Sequence, residues 1–111
     1  MRDSRTRLQD ILDAIDAIEK YSKKGKAEFL NDELIQNWFV RHLQIIGEAA
    51  YAISEEVKAK SKVIPWDKIV GMRHILVHDY FAIDTEIVWD VVEKELPALK
   101  SEIKKMIVFG D

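Results

Sequence analysis

Apolar residues recur along this chain at helical spacing, and four long runs of them organise the sequence. Leu8, Ile11, Leu12, Ile15 and Ile18 alternate with Asp10, Asp13, Asp16 and Glu19, which predicts an amphipathic helix over 4–22. Ser4 stands at its N-cap position, and the run Lys23-Lys24-Gly25-Lys26 ends it with cations and a glycine. Asn31, followed by Asp32 and Glu33, starts a second helix that the pattern carries to about Lys60. Leu34, Ile35, Trp38, Phe39, Val40, Leu43, Ile45, Ile46, Ala49, Ala50, Tyr51 and Ile53 cover most of its circumference. A helix that apolar all round is central in a bundle or buried against a partner subunit.

Pro65 marks the first position of a third helix over 66–78, with Ile69, Met72, Leu76 and one of Ile75 or Val77 facing inward. Asp84 or Thr85 caps the last helix, whose stripe reads Val88, Val91, Val92, Glu95, Leu99, Ile103 and Ile107. Pro97 falls inside it, so a kink or break is expected near Glu95. With only 4 Gly and 2 Pro and no strand-like alternation, the expected fold is all-α: an antiparallel bundle of four main helices.

Length and composition narrow the function. The chain has 111 residues, room for one domain over 1–111, and 48% hydrophobic residues, enough for one modest core. Lys and Arg number 17 against 20 Asp and Glu, a net charge of −3, which excludes a globally basic nucleic-acid binder but not a local basic site. Lys23, Lys24 and Lys26, with Lys100, Lys104 and Lys105, read as solvated charge and as the sources of any long-range attraction for RNA. The absence of cysteine removes disulfides, thiol catalysis and zinc ribbons. Met1 to Arg7 leads into an amphipathic pattern and does not read as a secretory signal, and no apolar run is long enough to cross a membrane. The expected location is the cytoplasm.

Candidate chemistry concentrates in Gly71-Met72-Arg73-His74-Ile75-Leu76-Val77-His78-Asp79-Tyr80-Phe81. A metal site is one reading, since His74 and His78 are four apart on one helix face. The residue after the first His is Ile75 where a zincin needs Glu, and no third ligand follows, so no metal is expected. A second reading is structural, with cations placed at a helix C-terminus. The third is phosphate chemistry: a guanidinium holds phosphate oxygens and never deprotonates, and an imidazole moves protons near neutral pH. Cleavage of RNA through its own 2′-hydroxyl requires both, and no cofactor. On an unbroken helix Arg73 and His78 lie roughly 140° apart. Either the helix ends near Val77, or two chains share the site.

Arg41 and Glu48 fall among Trp38, Ile45 and Ala49 on one face of the second helix, as a polar network beside the core or as a brace for a cleft. Asp79 either orients His78 or stands as a helix-end carboxylate. Gly47 and Gly71 sit inside predicted helices, where close helix approach offsets their cost of up to about 1 kcal/mol each. Trp38, Trp66 and Trp89 each sit in apolar patterns and read as core.

Arg73-x4-His78-x-Tyr80 resembles the Arg-x4-His-x-Tyr motif of HepT-type toxins in the HEPN superfamily. Arg41-His42-Leu43-Gln44-Ile45-Ile46-Gly47-Glu48-Ala49-Ala50 resembles the second-helix segment of that family, and Trp66 to Met72 resembles the run before its motif. The resemblance implies a HEPN bundle working as a homodimer, with the motif at the dimer cleft. It implies a metal-independent RNA endonuclease, the toxin of a type VII toxin–antitoxin pair, with Arg73 and His78 catalytic. It also implies an MntA-type nucleotidyltransferase antitoxin that transfers AMP onto Tyr80. His74 matches the polar residue usual after the motif Arg, and leaves open which His carries the proton. The alternative is a non-catalytic, nucleotide-binding or substrate-binding subunit of a two-component nucleotidyltransferase.

Overall fold

A computed structural model describes residues 3–75 and 84–109. Every regular element among them is a helix: α1 (Ser4–Ser22), α2 (Lys26–Asn31), α3 (Glu33–Ala52), α4 (Glu55–Lys58), α5 (Trp66–Ile75), α6 (Thr85–Asp90), a π-helical turn (Val91–Glu95) and α7 (Leu96–Phe109). The long α1, α3, α5 and α6–α7 elements are the four main helices expected.

The N-caps are aspartates one residue away from the positions first read. Asp3, not Ser4, caps α1, its carboxylate accepting from Thr6 N at 2.8 Å. That backbone bond favours the ionised form and lowers the Asp3 pKa. Asp32, not Asn31, caps α3 by accepting from Leu34 N and Ile35 N. Asn31 instead closes α2, a helix the periodicity did not reveal because Phe29 is its single buried residue. Gly25 at φ 96° makes the turn between α1 and α2, a backbone region that glycine enters without steric cost.

α3 stops at Ala52, short of Lys60. Ile53 adopts an extended conformation and buries its side chain, and Ser54 then caps the separate short helix α4. The intervening loop is held by Trp66, whose indole N–H donates to the carbonyls of Lys58 and Ser61. Pro65 lies one position before the helix it was expected to open, at the N-cap of α5, where its carbonyl accepts from Ile69 N. The end of that helix beyond Ile75 lies outside the described residues.

Before Pro97 the α-helical ladder is interrupted. In the π turn Leu96 N–H reaches back five residues to Val91 O, and the wider turn gives room ahead of a proline that has no N–H. The extra residue rotates the buried face. Leu96 and Met106 enter the core, where the sequence pattern had placed Glu95 and Ile107. Glu95 instead pairs with Lys68 of α5 at 2.6 Å.

The core is assembled around α3, which packs on both α1 and α5, while α1 also packs on α7. Phe39, Leu43 and Ile46 of α3 are fully buried, and the Phe39 ring stacks on Phe29 at 5.0 Å. α1 and α3 run antiparallel, fixed at one end by Ser54 N donating to Ser4 Oγ and at the other by Trp38 Nε1 donating to Ala17 O. The all-round apolar character of α3 is therefore only partly used: Leu34, Trp38 and Tyr51 remain exposed. Of the three tryptophans only Trp89 is fully core, Trp66 is half-buried, and Trp38 stands 39% exposed.

Two of the lysines read as solvated charge, Lys100 and Lys26, join helices instead. Lys100 of α7 bonds Glu19 and Asp16 of α1 at 2.6 and 3.2 Å, and hydrogen bonding to Glu19 raises its pKa. Lys26 of α2 pairs with Glu86 of α6, whereas the Lys105–Glu102 pair lies within α7.

Two measurements test this division. Phe39→Ala should cost about 3–5 kcal/mol in chemical denaturation, whereas Leu34→Ala should stay within about 0.5 kcal/mol of wild type. Lys100→Met should cost up to about 1 kcal/mol near neutral pH. Because the folded Lys100 pKa is raised, its stabilisation is complete below the unfolded lysine value and disappears as pH climbs through the folded one. The variant and wild-type stability curves should therefore converge only in the alkaline range.

Candidate functional site

Arg73 is the one member of the Arg-x4-His-x-Tyr motif whose side chain is described. His74 is described in its backbone only, and His78, Asp79 and Tyr80 lie outside the described residues. Arg73 projects from α5 where that helix crosses α3. The crossing is made at Gly47: a Cβ placed there would lie 2.6 Å from Arg73 N and 3.0 Å from Arg73 Cβ. The expectation that Gly47 serves close helix approach is thus met at the backbone of the motif arginine itself.

The Arg73 guanidinium carbon sits 3.6 Å from the centroid of the Tyr51 ring, a cation–π contact on a partly exposed aromatic face. Tyr51 thereby helps to orient the planar fork. Beside it opens a cleft of about 420 Å³ lined by Arg7 and Asp10 from α1, Arg41, Gln44, Ile45, Glu48 and Ala49 from α3, and Arg73 from α5. Among the described residues, three arginines therefore face two carboxylates in an acidic protein.

Arg41 and Glu48 come to the same cleft as Arg73, both with exposed side chains on its α3 wall. Arg7, Asp10, Gln44 and Tyr51 were not singled out from the sequence. Arg7 and Asp10 lie in the stretch read only for its apolar stripe, and 66 positions separate Arg7 from Arg73, so only the α1–α3–α5 packing unites them. The Nε of Arg7 is buried with no hydrogen-bond partner among the described residues.

Guanidinium forks from three helices can hold phosphate oxygens bidentately, and Gln44 adds a neutral amide. Asp10 and Glu48 limit how much anion the cleft tolerates, which favours a single diester over a densely charged ligand. Among the described residues no group of three His, Asp or Glu is placed to hold a metal ion. None of the described helices is long and apolar enough to cross a membrane.

A family model described as "Ribonuclease HepT-like" matches residues 11–106 of this chain. A protein of Thermococcus cleftensis named "Probable ribonuclease HepT" is 36% identical over 106 residues, covering 95% of this chain and 96% of the relative. A Methanocaldococcus jannaschii protein named "Putative RNase" is 36% identical over 104 residues, 93% of this chain and 95% of its own length. Another protein of that organism, named a gamma-glutamylcyclotransferase and RNase of the same provisional kind, is 37% identical over 107 residues. The alignment covers 96% of this chain but 48% of that longer relative, so the chain spans about half its length. No solved structure matches.

Gly47→Ala tests the crossing. The new methyl meets backbone, so α5 must move away from α3. The expected cost is about 1–3 kcal/mol by thermal or chemical denaturation, against the gain in helix propensity that alanine would otherwise bring.

Proposed function

The chain belongs to the HepT-like ribonuclease family, and from that premise we propose that it is an RNA endonuclease that works without a metal ion. The observation that carries the reading is the placement of Arg73 on a cleft with Arg7 and Arg41. Substrate RNA enters with its scissile phosphate against these guanidiniums. Its 2′-oxygen attacks phosphorus while His78, as general base, takes the hydroxyl proton. The phosphorane gathers negative charge on its non-bridging oxygens, and Arg73 neutralises that charge in the transition state. The 5′-oxygen then leaves with a proton supplied by a second imidazole. A homodimer provides one, with two Arg73 and two His78 facing a shared cleft. His74 is the other candidate proton carrier, and Asp79 orients His78. Arg41 and Glu48 brace the cleft wall.

In the same reading, residues 1–111 act as a single domain in the cytoplasm, as the toxin of a type VII toxin–antitoxin pair. The antitoxin is an MntA-like nucleotidyltransferase that transfers AMP from ATP to the Tyr80 phenol oxygen, with pyrophosphate leaving and the phenol proton lost to solvent. The added phosphodiester carries negative charge next to the arginine cleft, where it would compete with substrate phosphate and repel RNA.

Purified chain incubated with single-stranded RNA in EDTA should cleave it and leave 2′,3′-cyclic phosphate ends. Arg73→Ala should reduce the rate by about 10²–10³-fold without changing the circular dichroism spectrum, and His78→Ala should abolish cleavage. Tight nucleotide binding without cleavage would replace this reading with the non-catalytic subunit. Co-expression with a cognate nucleotidyltransferase should add one AMP by mass spectrometry, and Tyr80→Phe should remove that mass increase.

A further inference from the structure

A second feature of α3 lies one helical turn from the arginine cleft. Trp38 is 39% exposed although its polar atom is already satisfied, its indole N–H donating to Ala17 O at 2.8 Å. Tyr21 meets it edge-on with centroids 5.7 Å apart. On the other side His42 packs a tilted ring at 4.3 Å, and its Nδ1 donates to the Trp38 carbonyl at 2.7 Å. That bond fixes the tautomer of the neutral ring and leaves Nε2 as an acceptor. Three aromatic rings are thus held in fixed orientation, with Trp38 exposed, His42 partly buried and Tyr21 partly buried against the core.

Cations stand over one edge of this cluster. Lys20 and Lys24 place their ammonium groups 5.7 and 5.4 Å from the Tyr21 centroid. Arg41 follows Trp38 by three residues on α3 and lines the cleft. On α1, Asp16 and Glu19 pair with Lys100, and Asp13 accepts from Gln9 and keeps its negative charge. Trp38, Arg41 and Ile45 share one face of α3, and antiparallel α1 brings Tyr21 to the Trp38 end and Arg7 to the cleft end. From Trp38 to Glu48 is about 15 Å along the helix, the reach of a few nucleotides.

We propose that Tyr21, Trp38 and His42 form a nucleobase-stacking subsite for single-stranded RNA, contiguous through Arg41 with the arginine cleft that holds the scissile phosphate. The subsite rests on the ribonuclease reading for its substrate, and it narrows that substrate to unpaired RNA. A base splayed from a single strand presents a π-face to the preoriented rings, while its phosphates lie along Arg41 and the cleft. A base inside a duplex cannot reach them. Prior fixing of the rings lowers the ordering cost of binding.

The test uses the full chain and a fluorescent 2′-O-methyl RNA decamer, whose blocked nucleophile prevents cleavage. Affinity is measured by anisotropy for the intact strand and for strands with one abasic site moved along the sequence. Wild type should lose roughly tenfold in affinity when the abasic site falls at one register. Trp38→Ala should lose a similar factor on the intact strand and nothing further on that abasic strand. Arg73→Ala should weaken both strands equally. His42→Ala and Trp38→Phe provide milder variants should the alanine at 38 not fold, with the same coupling expected at reduced size. Unchanged affinity in the folded variants, or independent losses from protein and strand, overturns the subsite. A fall in molar mass by light scattering for Trp38→Ala also overturns it, assigning the face to a second copy of this chain. Coupling without cleavage of unmodified RNA would retain the subsite and discard the ribonuclease reading. Cleavage without coupling would do the reverse.

Discussion

The approach of α5 to α3 at Gly47 is the contact on which the site depends. Helices separated by side chains place their axes 8–10 Å apart, and a Cβ at position 47 would collide with the Arg73 backbone. Glycine in mid-helix carries a propensity cost of up to about 1 kcal/mol against alanine, which the chain bears at this crossing. In return the backbone of Arg73 rests directly on the central helix. The guanidinium then emerges at a height where Tyr51 and Arg41 of α3 and Arg7 of α1 surround it. Its position is set by the packing of two helices in the core.

Charge is divided between two tasks. The protein is acidic overall, and several of its lysines join helices: Lys100 ties α7 to α1, Lys68 ties α5 to the π turn, and Lys26 ties α2 to α6. These partly solvated pairs contribute little individually, but they place positive charge against negative around the outside of the bundle. The arginines of the cleft gather where three helices converge. Against this net negative charge, the cleft and the Lys20–Lys24 edge are local concentrations of cations.

The wide π turn shows how one local device adjusts a whole helix. Pro97 would clash in a regular α-helix, and the ladder opens by one residue immediately before it. The helix resumes with a shifted face, which brings Leu96 and Met106 inward and frees Glu95 to reach Lys68. The consequence of the proline is a change of register along α7.

The amino-acid sequence by itself determined the helical class, the four main helices and the disruption near Pro97. Each depends on neighbours in the chain, through spacing at 3.6 residues, capping and the missing proline N–H. It also singled out Arg73, because its chemistry is legible in a short motif. Caps were misplaced by one residue because Ser4 and Asp3, or Asn31 and Asp32, are equally competent by residue type. α2 escaped because six residues with one buried side chain show no period. Only the tertiary structure decided which face of α3 is core and which carries Trp38 and Tyr51, since an all-round apolar helix has no preferred side until its neighbours dock. It alone joined Arg7, Arg41 and Arg73, because residues so far apart in the chain meet only when backbone packing at a glycine lets three helices share one wall.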